Sequence, residues 1–336
     1  LMSTKQFDNI RTGVIGVGSM GQNHARVLSE VSNLVGISDP NPVQGKKIAD
    51  KFGVPWFKEI DDLLPLTQAV SVAVPTSFHL EVSEKVIDYS NHLLVEKPLA
   101  GNSKEASKIV SLASKKGVIL SVGHVERHNP VVKIAKEKIV SGAWGEIISM
   151  SSCRVSNFPD RIHDVGVLFD LAIHDIDICN YLAGSSITSV FASGGSKRAE
   201  HEDHVNLILQ YDNNIISKCE TNWLTPMKIR NLVITTSTHY VTIDFQNQSI
   251  ITKNSEYHNV DKSNLYDVNL SVETQELPII KNEPLKLEIQ DFLSAILNNT
   301  SPLVTGNDGL EVVRISEFAM ESLKSRKNII IREKDE

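Results

Sequence analysis

Residues Gly16-Val17-Gly18-Ser19-Met20-Gly21 set three glycines in the spacing G-x-G-x-x-G, after an apolar run (Thr12–Ile15) and before a helix-like stretch. Each glycine has a separate task if the segment is a strand–turn–helix. Gly16 permits the tight turn, Gly18 lets the backbone approach a pyrophosphate, and Gly21 lets the helix pack close to the strand. The helix N-terminus then offers N–H groups and a partial positive charge to the anion. Glycines in a turn can match this spacing by chance, so context decides. Eighteen residues after Gly21, at the end of the next strand candidate, stands Asp39. Its carboxylate can accept hydrogen bonds from ribose hydroxyls and would repel a 2′-phosphate. No Lys or Arg follows until Lys46. The expected cofactor is NAD rather than NADP. The other reading of Asp39 is a turn residue ahead of Pro40.

The first part of the chain repeats this alternation. Strand candidates at Thr12–Ile15, Leu34–Ser38, Ala69–Val74, His92–Val95 and Val118–Val122 are separated by helical patterns, with a short one near Trp56-Phe57. That is the pattern of a parallel sheet covered by helices. Ser103 is the expected N-cap of the helix that Gly117 closes. Beyond Gly123 the texture changes to helices and several β-like runs with turn signals between them, the mark of an antiparallel sheet. Asp164–Leu182 reads as one helix, Lys253–Thr274 as a polar excursion, and Leu285–Leu297 and Gly309–Ser325 as closing helices. A length of 336 residues fits two domains. The expected division is 1–123, binding the dinucleotide, and 124–336, binding substrate and assembling oligomers.

Charge and cysteine content narrow the function classes. A net charge of −7 is a poor match to nucleic acid or anionic lipid. Cys153, Cys179 and Cys219 are too few and too scattered for a disulfide scaffold or a structural zinc site. No apolar run approaches a membrane span, and the opening residues lack an apolar signal core, so a cytoplasmic location is expected.

Ligands of open α/β sheets bind beyond the C-terminal ends of the strands. The expected cofactor contacts are therefore Gly16, Gly18, Ser19, Met20 and Gly21, then Asp39, then Pro75, Thr76 and His79, then Glu96 and Lys97. Lys97, in Glu96-Lys97-Pro98, could also hold a substrate hydroxyl and stabilise alkoxide charge; the plainer reading is a surface lysine. Further on, Asp170, His174 and Asp177 share one helix face at i, i+4 and i+7. An Asp one turn from a His can orient it as a general base, and the plainer reading is a solvated Asp–His pair. His201-Glu202-Asp203-His204 is one residue short of the HExxH spacing and is not read as a metal site.

The segments GVIGVGSMGQNHARVL, VEKPLA and DLAIHDIDICNYLAG together resemble the Gfo/Idh/MocA family of sugar and polyol dehydrogenases, in that family's order and spacing over essentially the whole chain. The resemblance implies an α/β fold: an N-terminal Rossmann domain and a C-terminal α/β domain with a large, mostly antiparallel open sheet. It implies NAD or NADP and a homodimer or homotetramer built on that sheet. Lys97 falls on the lysine of the family's EKP motif. Asp170 and His174 fall on its D-x-x-x-H pair, whose His is the usual proton acceptor. Residues 123–130, 222–230 and 283–288 resemble the UDP-N-acetylglucosamine 3-dehydrogenase branch, although His128 departs from the aromatic expected there. A nucleotide-sugar diphosphate needs cationic partners; the candidates are Arg127, Arg154, Arg161, Lys228 and Arg230. The expected substrate contacts are Lys97, Arg127, Asn129, Arg154, Asp170 and His174. The alternatives are a dehydrogenase of free polyols or monosaccharides and a non-catalytic NAD(H) sensor.

Overall fold

The computed structural model describes residues 6–159, 165–257 and 270–331. The chain forms two compact units. The first runs to His128 and resumes over Glu283–Arg314; the second holds Asn129–Asn282 and begins again at Ile315. Among the described residues no helix is long and apolar enough to cross a membrane.

The first unit is built on six parallel strands: β1 (Phe7–Ile15), β2 (Ser32–Ser38), β3 (Trp56–Phe57), β4 (Ala69–Val72), β5 (His92–Glu96) and β6 (Leu120–Gly123). Their order is β3-β2-β1-β4-β5-β6. Helices α1 (Gly21–Val31), α2 (Pro42–Phe52), α3 (Ile60–Leu63), α4 (His79–Asp88) and α5 (Ser103–Lys116) make the crossovers. All four residues of β4 are buried, as expected for a strand covered on both faces. The order reverses between β1 and β4, and the glycine loop leaves β1 at this switch point. Local chemistry sets the helix ends. Asn41 caps α2 by accepting from the Val43 and Gln44 N–H groups, and Pro42 takes the first turn. The cap of α5 is Asn102 rather than the expected Ser103, while Gly117 ends it in the left-handed region at φ 69°.

The second unit carries α6 (Pro130–Val140), β7 (Ile147–Val155) and α7 (Ile173–Ala183), followed by β8 (Ile187–Gly195), β9 (His204–Tyr211), β10 (Ile216–Asn222), β11 (Ile229–Thr236), β12 (Tyr240–Asp244), β13 (Ser249–Tyr257) and β14 (Leu270–Glu276). With β15 (Ile329–Ile330) these form a nine-stranded sheet in the order β14-β13-β12-β11-β7-β10-β9-β8-β15. Among the described residues of this sheet, only β7 and β10 pair in parallel. On β9 buried and exposed residues alternate strictly, so one face packs inward and the other is open. The α/β architecture expected from the sequence is present in both units. The polar excursion at Lys253–Thr274 is in part a strand pair: β13 and β14 match Ile251 with Glu276 through Tyr257 with Leu270.

The closing helices are α8 (Pro284–Asn298) and α9 (Gly306–Ser325). The division at residue 123 needs correction here, because α8 and the first turns of α9 belong to the first unit. Leu285, Ile289, Phe292 and Leu293 of α8 join a core with Val27, Leu28 and Val31 of α1 and Leu94 of β5. Ion pairs Arg26–Glu283 and Lys286–Glu30 fasten the edge of that contact.

Candidate active site

The dinucleotide loop is shaped for an anion. Gly16 adopts φ 81°, and its N–H donates to the Ser38 carbonyl at 2.8 Å. A Cβ at Gly21 would lie 1.8 Å from the Gly16 carbonyl oxygen, so this glycine is required by the strand–helix approach. A Cβ at Gly18 would meet nothing within 4 Å, so the loop's middle faces open space. Helix α1 has no side-chain cap at Met20 and no acidic residue in its first turn, which keeps its positive end available to phosphate.

Asp39 closes the cradle at the end of β2. Its Oδ2 accepts from the Val17 N–H and its Oδ1 from the Asn41 N–H, both at 2.8 Å. Both contacts are those of a turn residue. Two of its roughly four acceptor positions are used inside the protein, and the others suit two ribose hydroxyls. These residues fit an adenine dinucleotide: an unobstructed loop, a helix end without a side-chain cap, and a carboxylate with acceptor positions left.

The loops after β4 and β5 complete this edge. Pro75 precedes a short turn at Thr76–Phe78 that leads into α4. His79 and Glu96, expected as cofactor contacts, are instead turned inward. His79 is 1% exposed, with Nδ1 at 2.9 Å from the Pro98 carbonyl and Nε2 at 3.0 Å from the Val74 carbonyl. It ties the β4 loop to the β5 loop, and burial lowers its pKa below the usual value despite those carbonyls. The Glu96 carboxylate meets His24 Nε2 at 2.8 Å and accepts from the Lys97 N–H at 3.1 Å. Lys97 itself is half-buried, and the Lys97-Pro98 peptide is cis.

In the second unit, the expected continuous helix is interrupted. Leu168–Ala172 forms a π-helical turn, and α7 proper begins at Ile173. Asp164, the expected first residue, lies outside the described residues, as does Arg161. Asp170 sits in the π turn and His174 in the first turn of α7; both are half-buried. Wide turns of this kind displace a side chain from regular helical register and are common at functional sites. Asp177, expected on the same solvated face, is 1% exposed and does not share it.

Three expected substrate residues are spent on structure. Arg154 is 1% exposed and its Nε reaches both carboxylate oxygens of Asp175 at 3.1 Å, with its guanidinium 5.4 Å from the centre of the Phe245 ring. In the first unit Arg127 is buried against Asp308 at 3.0 Å. Asn129 is buried; it caps α6 and donates from Nδ2 to the Phe245 carbonyl at 3.1 Å. Lys228 is exposed and Arg230 half-buried. Sequence reasoning also missed His24 and Asp175. The available signal was one charged or polar residue set into an otherwise apolar helix face, as His24 is among Ala25, Val27 and Leu28.

Comparison with known proteins agrees with this geometry. Residues 10–124 match the model of an oxidoreductase family described as an NAD-binding Rossmann fold. Residues 132–242 match the C-terminal domain of the same family. A UDP-N-acetylglucosamine 3-dehydrogenase of Acidithiobacillus ferrooxidans is 27% identical, covering 91% of this chain and 94% of that protein. Its solved structure superposes with a TM-score of 0.86 over 94% of this chain and 98% of that one. The NAD(+)-dependent scyllo-inositol 2-dehydrogenase of Bacillus subtilis is 26% identical, covering 94% of each. A levoglucosan dehydrogenase solved with NADH shares the fold at 19% identity, with a TM-score of 0.82. With its dinucleotide cradle after β1 and its large open sheet, this chain belongs to the GFO/IDH/MocA oxidoreductase family.

Proposed function

We propose that the protein is an NAD-dependent dehydrogenase of a sugar secondary hydroxyl, with C3 of a UDP-N-acetylhexosamine as the reacting carbon. The observation that carries this reading is the near full-length similarity to a UDP-N-acetylglucosamine 3-dehydrogenase, with a TM-score of 0.86. NAD⁺, held by Gly16, Gly18, Ser19, Met20, Gly21 and Asp39, supplies the hydride acceptor when bound. His174 takes the hydroxyl proton as general base, and Asp170 orients it and the substrate hydroxyl. The Lys97 ammonium donates to the same oxygen and offsets the negative charge that develops there. Asp39 supports NAD over NADP by the repulsion it would exert on a 2′-phosphate.

A second reading, a free polyol as substrate, is favoured by the burial of Arg127 and Arg154 in ion pairs, which removes two cations from any diphosphate. The open face of the nine-stranded sheet, where Ile208 and Ile216 are each 47% exposed, supports a homo-oligomer built on that sheet. The substrate test is NADH formation from NAD⁺ with UDP-N-acetylglucosamine, free N-acetylglucosamine, glucose and inositol, with a ketone trap in parallel samples. Turnover of the nucleotide sugar alone supports the proposal. Turnover of a free polyol alone replaces its substrate, and NAD binding with no turnover of any of them favours the sensor.

A further inference from the structure

Four elements of the first unit send polar side chains to one closed place in its core: His24 from α1, Ser71 from β4, Glu96 from β5 and Glu288 from α8. His24 Nδ1 lies 2.7 Å from Ser71 Oγ, and His24 Nε2 lies 2.8 Å from Glu96 Oε1. The other Glu96 oxygen accepts from the Lys97 N–H. Glu288 is 0% exposed, and neither of its oxygens has a hydrogen-bond partner among the described residues. Ligand-type atoms of His24, Glu96 and Glu288 all lie within 4.8 Å of one another. Two ionised carboxylates cannot stand this close in a site closed to water without a compensating charge.

The surroundings divide the pair. Burial, then the charges of Glu96 and Asp291, push the Glu288 carboxyl well above the usual range. Burial also opposes the Glu96 charge, but His24, through its hydrogen bond and its electrostatic attraction, and then the Lys97 ammonium outweigh it and hold that carboxyl below the usual value. Neighbouring carboxyls whose environments separate them in this way take different protonation states. Other ionisable groups pack against α8 from α1 and from the turn at Val125–His128. On α1, Arg26 and Glu30 pair with Glu283 and Lys286 at the edge. On the turn at Val125–His128, Arg127 pairs with Asp308, while Glu126 and His128 are buried.

We propose that Glu288 is a positioning residue for Lys97, standing as a carboxylic acid against the Glu96 carboxylate so that Glu96 stays anchored between His24 and the Lys97 backbone. Were Glu288 ionised, it would repel Glu96 and compete for His24. The residue before Lys97 would then lose its anchor. This rests on the assignment of Lys97 to the reacting oxygen, so the test reads protonation separately from turnover.

The first measurement is the infrared difference spectrum of the full-length protein against Glu288→Gln at neutral pH. A protonated-carboxyl C=O band present in the wild type and lost in the variant is expected. Its absence, or a divalent metal bound one to one by wild type but not by the variant, overturns the proposal. The second is kcat against pH. Glu288→Leu, which cannot ionise, should keep kcat within about twofold at neutral pH, with little change in the KM for NAD⁺. Glu288→Gln, also uncharged at every pH, should do the same, and both variants should lack the alkaline decline that ionisation of Glu288 causes in wild type. Wild-type profiles in both variants overturn the positioning role. If no sugar is turned over, the infrared band still decides the protonation state, so failure of the substrate assignment is distinguishable from failure of this one.

Discussion

At the scale of single residues, the account assigns His174 the proton transfer. General-base groups contribute about 10²–10⁴-fold to rate, so His174→Ala should lower kcat by that range. NAD affinity, read by fluorescence titration, should not change, since His174 lies outside the dinucleotide loop. An unaltered kcat contradicts the role. Asp39 is tested by coenzyme preference. Asp39→Asn keeps one acceptor for the Val17 or Asn41 N–H but removes the charge. The ratio of kcat/KM for NAD⁺ over NADP⁺ should then fall about tenfold or more, as like-charge repulsion disappears. His128 is buried, with no partner for Nε2 among the described residues, and burial followed by the Arg127 charge lowers its pKa from 6.5 to about 4. Between those values the unfolded chain binds the extra proton and the folded chain does not. Stability therefore falls as pH drops from 6.5 toward 4, by about 2 kcal/mol near pH 5. Urea unfolding at both pH values should show this loss in wild type and a flatter dependence in His128→Phe. Equal slopes would contradict it.

At the scale of elements, the glycine loop gives opposed expectations for two glycines. Gly18→Ala places its methyl in open space, so the fold should survive while NAD binding weakens, because the methyl occupies the pyrophosphate approach. Gly21→Ala drives its methyl into the Gly16 carbonyl and should lower stability by at least about 1–3 kcal/mol, the usual scale of overpacking. Thermal melts with and without NAD⁺ separate the two. Equal effects on stability would contradict the geometry. Elements set by local pattern were legible: the parallel strands, the loop, Asp39 and the strand runs of the second unit. What depended on a distant partner was not. The π turn before α7 has no signature in residue spacing. Arg154 and Arg127 read as substrate-binding cations because their partners Asp175 and Asp308 are 21 and 181 residues away in the chain.

At the scale of the whole molecule, the return of α8 to the first unit is the feature a linear reading loses. Its apolar stripe announces a helix, but not which core it enters. The contact was written in two places at once, in Leu285, Ile289 and Phe292 and in Val27, Leu28 and Val31. The same return delivers Glu288 to Glu96, so a helix late in the chain bears on the loop that carries Lys97.

The proposed reaction is hydride transfer from C3 of a UDP-N-acetylhexosamine to the nicotinamide, with His174 receiving the proton. UDP-N-acetylglucosamine carrying deuterium only at sugar C3, incubated with the protein and NAD⁺, tests it most directly by mass spectrometry of the reduced cofactor. The account predicts NADH containing one deuterium, and none formed by His174→Ala on the same timescale. Unlabelled NADH, or reduction only with an unphosphorylated polyol, would contradict it.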